Sequence, residues 1–206
     1  RHVIEMLAER TDAQRINVLA YSAGGKVAIH ALGDLRDANP ALTEAEVQRR
    51  FRIGRVVFAA PDVALETFVE RVPQVHDLAI DGVVVTMTDD DVALQMGETM
   101  MGGSVRAGEE RILEDPTLAR EIDALERLQL IDVSAASDAR GFDISGHHYW
   151  HAHPWASSDI ILLVRTSLLP HERGLVPTEH HRVWALPPDY PDRVREAARR
   201  SLQGTW

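Results

Sequence analysis

The sequence has 206 residues, of which 45% are hydrophobic and 26% are charged, a balance typical of one globular domain. Its 22 Lys and Arg against 32 Asp and Glu give a net charge of −10, which argues against nucleic acid as a partner, because phosphate binding needs clustered cations. The absence of cysteine excludes disulfides, thiolate metal sites and cysteine nucleophiles, and it is compatible with either redox compartment. No apolar run reaches the roughly 20 residues of a membrane helix.

The first residues (RHVI) include no initiator Met and no signal-peptide profile, and we therefore expect the protein to have an additional N-terminal segment. Apolar residues then follow one helical face and predict a helix that ends near residues 10–12: Val3, Ile4, Leu7 and Ala8.

A strand followed directly by a helix is predicted next. Residues 16–20 (INVLA) form a short apolar run without helical periodicity, which is typical of a strand buried on both faces of a parallel sheet. Residues 24–32 predict a helix, and Ser22 falls between the two elements. Farther along, the capping-box spacing of Thr43 and Glu46 predicts the start of another helix.

The alternation of strands and helices continues through the rest of the chain. Three further strands are predicted at residues 55–60, 83–87 and 128–133. Helices are predicted at residues 64–72, from residue 92, and at residues 116–127, 157–169 and 192–202. This alternation indicates crossover connections and a parallel sheet covered on both faces, so we predict the α/β fold class.

Ser22 occupies the turn between the first predicted strand and the next helix, in the sequence AYSAG of residues 20–24. At such a turn a serine is held away from the backbone, and small residues on either side prevent collision between strand and helix. The pattern is that of a nucleophile elbow, with Ala20 at the first glycine position and Gly24 at the second. Capping of the helix is the alternative interpretation of Ser22.

A serine nucleophile needs a histidine to accept its proton and a carboxylate to orient that histidine. In this type of fold the chain order is Ser, acid, His, and ligand chemistry gathers at the carboxyl ends of the strands. Two predicted strand ends carry aspartates: Asp62 follows the second strand, and Asp89, Asp90 and Asp91 follow the third. A solvated turn with a helix cap is the commoner role for at least two of the three consecutive aspartates.

The candidates for the general base lie in one segment after the fourth predicted strand: His147, His148, His151 and His153. Their density also raises the hypothesis of a metal site. We favour it less, because there is no His-Glu-x-x-His motif and no third ligand at a defined spacing. We therefore expect no metal and no other cofactor.

Five segments together resemble a bacterial α/β-hydrolase family catalogued as a domain of unknown function. The resemblance extends through about residue 165 and rests on these segments in chain order: AYSAG at 20–24, AAPD at 59–62, DDVAL at 90–94, RAG at 106–108 and GHHYW at 146–150. It implies a parallel-sheet α/β-hydrolase fold.

The resemblance also implies roles for single residues. The family's third strand end reads approximately Ser-Asn-Asp-x-Ala-Leu, and its aspartate falls on Asp91. The last motif resembles Gly-His-Ser-Tyr-Phe and puts the catalytic histidine on His147. This sequence has Asp90 for Asn, His148 for Ser and Trp150 for Phe. Asp90, together with the aspartate after the second strand, is therefore an alternative acid, and His148 is the alternative base.

In such a fold one oxyanion-hole donor is the backbone N–H after the nucleophile, which belongs to Ala23, and another comes from a loop before the nucleophile strand. We expect residues 1–206 to be the C-terminal catalytic portion of a single α/β-hydrolase domain whose N-terminal strands and second donor belong to the additional segment. Losing one donor typically lowers turnover by about 10²–10³-fold, so we expect this portion alone to be a poor catalyst.

These residues predict a serine hydrolase that cleaves small-molecule carboxylic esters through Ser22, His147 and Asp91 and an acyl-enzyme intermediate. The main alternative is a non-catalytic binding or assembly module, because a fold does not dictate a function. A metal-dependent hydrolase is the third hypothesis, and it predicts loss of activity with a chelator. The sequence indicates no particular oligomeric state or compartment.

Overall fold

A computed structural model describes residues 1–88, 120, 123–137, 149–180 and 182–203. The helices in these ranges are α1 (His2–Arg10), α2 (Gly24–Asp37), α3 (Glu44–Phe51), α4 (Leu65–Leu78), α5 (Ser134–Ser137), α6 (Tyr149–Ala152), α7 (Pro154–Arg165), a 3₁₀ helix (Pro170–Arg173) and α8 (Tyr190–Gln203). The strands are β1 (Ile16–Tyr21), β2 (Ile53–Ala59), β3 (Gly82–Met87), β4 (Leu128–Asp132), β5 (Val176–Pro177) and β6 (Val183–Ala185). Within this part of the chain, no helix combines the length and the apolar character that crossing a bilayer requires.

The strands form one six-stranded sheet in the order β1-β2-β3-β4-β6-β5. All neighbouring pairs are parallel except β5 and β6, which are antiparallel. Tyr21 of β1 lies opposite Ala59 of β2, and Met87 of β3 lies opposite Asp132 of β4. Strands β1 to β4 therefore end along one side of the sheet, which we term the carboxyl edge. The turns that follow these four strands are neighbours there.

Helices cover both faces of the sheet, and β2 and β3 are buried along their whole length. On one face, Ile29 of α2 and Phe68 of α4 belong to the same core as Phe58 of β2. On the other face, Leu163 of α7 belongs to a second core with Val57 of β2. Consecutive residues of β2 thus enter different cores, as the alternation of side chains along a strand requires.

The predicted parallel α/β sheet is confirmed, and each of the four predicted strands is present within two residues of its expected bounds. The helices predicted at 157–169 and 192–202 correspond to α7 and α8. The helix predicted from residue 92 lies outside the described residues. Of the helix predicted at 116–127, the described residues 120 and 123 are helical, but residues 124–127 are not, so the predicted C-terminal end of this helix is wrong. The pattern analysis misses β5 and β6, because strands of two and three residues are too short to show a periodicity.

Helix α4 is longer than the prediction of residues 64–72, because it continues through Pro73 to Leu78. Proline removes a backbone donor and usually ends or kinks a helix. Here Val72, Val75 and Leu78 are all buried, so packing on both sides of the proline holds the helical conformation. Tertiary burial outweighs the local preference.

The predicted capping box at the start of α3 is confirmed. The Thr43 hydroxyl accepts a hydrogen bond from the Glu46 N–H at 3.4 Å, and the Glu46 carboxylate accepts one from the Thr43 N–H at 2.8 Å. The two side chains therefore provide reciprocal hydrogen-bond acceptors at the start of α3.

Candidate functional site

Ser22 lies directly between β1 and α2, with φ = 51°. Non-glycine residues rarely adopt this left-handed conformation, which persists only where the surroundings hold it. The Ser22 N–H donates to the Ala59 carbonyl at 3.1 Å, and the Ser22 carbonyl accepts from the N–H groups of Gly25 at 2.8 Å and Asp62 at 3.2 Å. These three bonds hold the sharp strand-to-helix turn against the end of β2, and they leave Ser22 partly exposed.

The close approach between this turn and its surroundings occurs at Gly25. A Cβ atom on Gly25 would lie 3.0 Å from Cγ2 of Val63 and 3.3 Å from Cβ of Pro61, whereas a Cβ atom on Gly24 would have no neighbour within 4 Å. The sequence analysis assigned the space requirement to Gly24, the motif position. The structure corrects this, because a Cβ atom would meet the segment that follows β2 at Gly25 and would meet nothing at Gly24.

The turn after β2 has the same kind of backbone strain. Ala60 has φ = 44°, and its N–H donates to the buried Thr86 hydroxyl of β3 at 3.1 Å. Among the described residues, three non-glycine residues have positive φ, and two of them, Ser22 and Ala60, lie at the carboxyl edge. The third, Arg52, caps the end of α3. Strained positions cluster at functional sites, so this edge is the candidate site.

Asp62 lies beside Ser22 through its backbone, but its carboxylate is directed to a cation. The Lys26 ammonium of α2 donates to Oδ2 of Asp62 at 3.0 Å, and both side chains are partly exposed. Lys26 follows Ser22 by one helical turn, which is the spacing that brings it to this edge. The pair connects the first turn of α2 to the loop after β2, a contact that the sequence analysis did not anticipate.

The ends of β3 and β4 carry a second polar group, also absent from the sequence analysis. The Val133 N–H donates to the Met87 carbonyl at 2.9 Å, which keeps the two chains together past the last strand pair. The Asp132 carboxylate accepts from the Ser134 N–H at 2.8 Å, and the hydroxyls of Ser134 and Thr88 are 3.5 Å apart. The sequence could have indicated this group, because Asp132 lies at the end of a predicted strand.

Aromatic side chains from α6 lie against the residue before Ser22. The Trp150 ring centroid is 5.2 Å from that of Tyr21, and the His151 ring is 6.3 Å from Tyr21 and 4.8 Å from Trp150. The indole Nε1 of Trp150 is buried and has no acceptor among the described residues. The segment that contains the predicted histidines therefore returns to the Ser22 turn, at least from Trp150 onward.

His153 has a structural role at the start of α7. Its Nδ1 accepts a hydrogen bond from the Trp155 N–H at 3.2 Å, which caps the helix. Burial lowers the pKa of His153 below its usual value of 6.5, which favours the neutral imidazole that this bond requires. His153 is thus a helix cap, and its environment is less suited to a proton acceptor than an exposed histidine would be.

Of the residues predicted to react, the structure describes Ser22, the oxyanion donor Ala23 and the alternative acid Asp62. Ala23 is exposed at the N-terminus of α2, where backbone N–H groups lack intrahelical acceptors. Four of the predicted residues lie outside the described ranges: the acid Asp91 and its alternative Asp90, and the base His147 and its alternative His148. Within the described ranges, no group of three or more His, Cys, Asp or Glu side chains is arranged to hold a metal ion.

Comparison with known families finds one model, described as an alpha/beta hydrolase of unknown function (DUF900), that matches residues 1–165. The matched range runs from α1 through α7 and includes the whole carboxyl edge. No curated protein and no solved structure matches the chain. The unmatched remainder still contributes to the sheet, because β6 pairs with β4.

Proposed function

The chain belongs to this family of α/β hydrolases, and from that premise we propose that it is a serine hydrolase that cleaves carboxylic esters of small molecules. The nucleophile in the proposal is Ser22, the general base is His147 and the acid is Asp91. The observation that carries the proposal is the Ser22 backbone, held at φ = 51° by three hydrogen bonds between a strand and a helix. A serine used only as a helix cap has no need of this strained conformation, because caps normally adopt extended backbone angles.

The order of the strands supports the assignment of the other two residues. Ser22 follows β1, Asp91 lies three residues after Thr88 at the end of β3, and His147 lies three residues before Trp150. Three residues of chain reach at most about 11 Å, so the sequence separation between each residue and its described anchor is compatible with the two assignments. Both anchors lie at the carboxyl edge: Thr88 by its proximity to Ser134, and Trp150 by its contact with Tyr21.

The Lys26 contact supports the choice of Asp91 over Asp62. A triad acid must accept the N–H of the histidine and hold the imidazole in one tautomer. Oδ2 of Asp62 accepts from Lys26, and this contact joins α2 to the loop after β2. We therefore assign Asp62 to positioning of the turn.

In the proposed reaction, the Ser22 Oγ attacks the ester carbonyl carbon while His147 accepts the hydroxyl proton, and Asp91 stabilises the resulting imidazolium. The Ala23 N–H donates to the oxyanion of the tetrahedral intermediate. The intermediate collapses when the carbon–oxygen bond to the leaving group breaks and His147 returns the proton to the alkoxide. Water, activated by the same histidine, then hydrolyses the acyl-serine and regenerates the hydroxyl.

The aromatic side chains beside the turn support an acyl substrate. Tyr21 and Trp150 contact each other next to Ser22 and are partly buried against the core of the second face, and we propose that their remaining surface contacts the acyl chain. Trp155, the other tryptophan of this segment, packs on Tyr190 in the core of the second face and is assigned to structure.

Labelling with a fluorophosphonate, which reacts with activated serines, tests the proposal. The wild-type protein should be labelled, Ser22→Ala should not, and Ser134→Ala should be labelled normally, because Ser134 is a matched serine at the same edge. Hydrolysis of p-nitrophenyl acetate should fall by about 10³-fold or more in Ser22→Ala and His147→Ala. It should also fall in Asp91→Asn and be retained in Asp62→Asn.

The competing functions give different results in the same assays. A folded full-length wild-type protein that is neither labelled nor active would refute the proposal in favour of a non-catalytic binding module. Activity that survives in Ser22→Ala but is lost with a chelator would refute it in favour of a metal-dependent hydrolase.

A further inference from the structure

Thr86 is a buried polar residue in an otherwise apolar strand. The other residues of β3 are a glycine, three valines and a methionine, and every position of the strand is buried. The Thr86 side chain is 2% exposed and lies on the same face of β3 as Val84, which belongs to the second core. A hydroxyl in such surroundings is costly unless it makes a hydrogen bond, so the bond that it makes indicates its role.

The Thr86 hydroxyl accepts a hydrogen bond from the backbone N–H of Ala60 at 3.1 Å, in the buried interior. The last residue pair between β2 and β3 is Phe58 and Val85, so Ala60 lies beyond the pairing of the two strands. The side chain therefore supplies an acceptor where the ladder has ended. It does so for a residue at φ = 44°, a conformation that a non-glycine residue keeps only where its surroundings hold it.

Ala60 lies between the two backbone groups that bind Ser22 from the turn after β2. The carbonyl of Ala59, the residue before Ala60, accepts from the Ser22 N–H at 3.1 Å. The N–H of Asp62, two residues after Ala60, donates to the Ser22 carbonyl at 3.2 Å. Ser22 is thus held on both sides by a short segment whose centre is bonded to Thr86. A shift of Ala60 displaces both bonds at once.

We propose that Thr86 is a positioning residue for the nucleophile: its hydroxyl holds the left-handed turn at Ala60, and that turn holds Ser22. This inference rests on the proposed function, because it takes Ser22 as the reacting group. Thr86 acts through Ala60 and is therefore not itself a catalytic residue. Removing its hydroxyl leaves the buried Ala60 N–H without this acceptor, which favours a relaxed turn over the strained one.

Two substitutions separate the hydroxyl of Thr86 from the shape of its side chain. Thr86→Val removes the hydroxyl and keeps a β-branched side chain, whereas Thr86→Ser keeps the hydroxyl and removes the methyl group. Thr43→Ala is the matched control, because the Thr43 hydroxyl also accepts a backbone N–H, at the start of α3. It removes a bond of the same kind from a different element.

Amide hydrogen exchange followed by NMR reports on the turn whether or not the protein is an enzyme. Thr86→Val should speed exchange of the Ser22 and Asp62 amide hydrogens by about 10-fold or more relative to Thr43→Ala, because loss of one buried hydrogen bond changes an opening equilibrium by about that factor. Thr86→Ser should exchange at close to the wild-type rate at both amides.

Fluorophosphonate labelling of Ser22 measures the consequence for the hydroxyl. Labelling should slow by about 10-fold or more in Thr86→Val, because small displacements of a reacting group have effects of this size. It should stay close to the wild-type rate in Thr86→Ser and in Thr43→Ala. Rescue by serine separates the hydroxyl from general packing, since serine fills the core less well than valine does.

The positioning role is overturned if Thr86→Val exchanges at Ser22 and Asp62 no faster than Thr43→Ala, if its labelling is not slowed, or if Thr86→Ser is impaired as strongly. A wild-type protein that resists labelling while the exchange rates follow the expected order would overturn the proposed function and still support the hold of Thr86 on the turn. If Thr86→Val does not fold, Thr86→Ser decides alone: wild-type exchange and labelling support the role of the hydroxyl, and losses of about 10-fold overturn it.

Discussion

The same substitution should destabilise the protein at Gly25 and have little effect at the adjacent Gly24, both at the start of α2. A Cβ atom on Gly25 would lie 3.0 Å from Cγ2 of Val63 and 3.3 Å from Cβ of Pro61, whereas Gly24 has open space within 4 Å. Carbon atoms pack best at about 3.5–4.0 Å, so valine at position 25 must push its neighbours apart by several tenths of an ångström before its two methyl groups are placed.

The expected magnitude follows from two opposing terms. Overpacking of a close-packed site costs about 1–3 kcal/mol, and replacing glycine by valine within a helix recovers only about 0.4 kcal/mol. Gly25→Val should therefore lower the free energy of unfolding by about 1–3 kcal/mol. Gly24→Val should change it by no more than about 0.5 kcal/mol, because its side chain meets no other residue.

Urea unfolding followed by circular dichroism measures the two stabilities, and the rate of fluorophosphonate labelling reports the position of the Ser22 hydroxyl. Gly25→Val should also slow labelling, since the Gly25 N–H bonds to the Ser22 carbonyl and a displaced Gly25 moves the turn. Gly24→Val should be labelled at close to the wild-type rate. The reasoning about this turn is wrong if Gly25→Val is as stable as Gly24→Val.

Four further predictions concern single residues. Asp159→Asn should lower the free energy of unfolding by about 3–5 kcal/mol in urea, because it leaves the buried Arg173 uncompensated; a loss below about 1 kcal/mol would contradict this. Thr43→Ala should cost about 1 kcal/mol through the cap of α3, and an unchanged urea midpoint would argue against that role. Burial lowers the pKa of His76 below 6.5, so near that pH the unfolded chain binds more protons than the folded one. The free energy of unfolding should therefore be greatest above about pH 6.5 and fall as the pH drops below it. In urea unfolding at about pH 7.5 and 5.5, His76→Gln should reduce this fall, and an unchanged fall would refute the prediction. Ser22→Gly should be more stable than Ser22→Ala by roughly 1 kcal/mol, because glycine adopts φ = 51° without strain, and equal stabilities would show that the turn is unstrained.

The buried strands were predictable because their signal is local. β2 and β3 are apolar at nearly every position, and a parallel sheet covered on both faces requires that composition. The capping box of α3 depends on two residues three positions apart and could be identified for the same reason. By contrast, α4 continues through Pro73 because of burial against distant strands, which no local pattern encodes.

The candidate site was predictable in its position but not in its contacts. The small-x-Ser-x-Gly pattern located the turn, yet the contact that requires a glycine depends on Pro61 and Val63, about 40 residues away in the chain. The Lys26 contact that assigns Asp62 to positioning is likewise a tertiary feature.

The two ends of the sheet carry different kinds of energetic cost, and the difference bears on function. At one end, the costly burial of Arg173 and Asp159 is offset by their mutual contacts, which join α7 to the 3₁₀ helix. At the carboxyl edge, the strained backbones of Ser22 and Ala60, about 1–3 kcal/mol each, are held by backbone hydrogen bonds, and glycine at either position could make the same bonds without the strain. For a protein whose net stability is only about 5–15 kcal/mol, this is a substantial cost. A reacting hydroxyl, as proposed for Ser22, would explain why serine rather than glycine occupies this position.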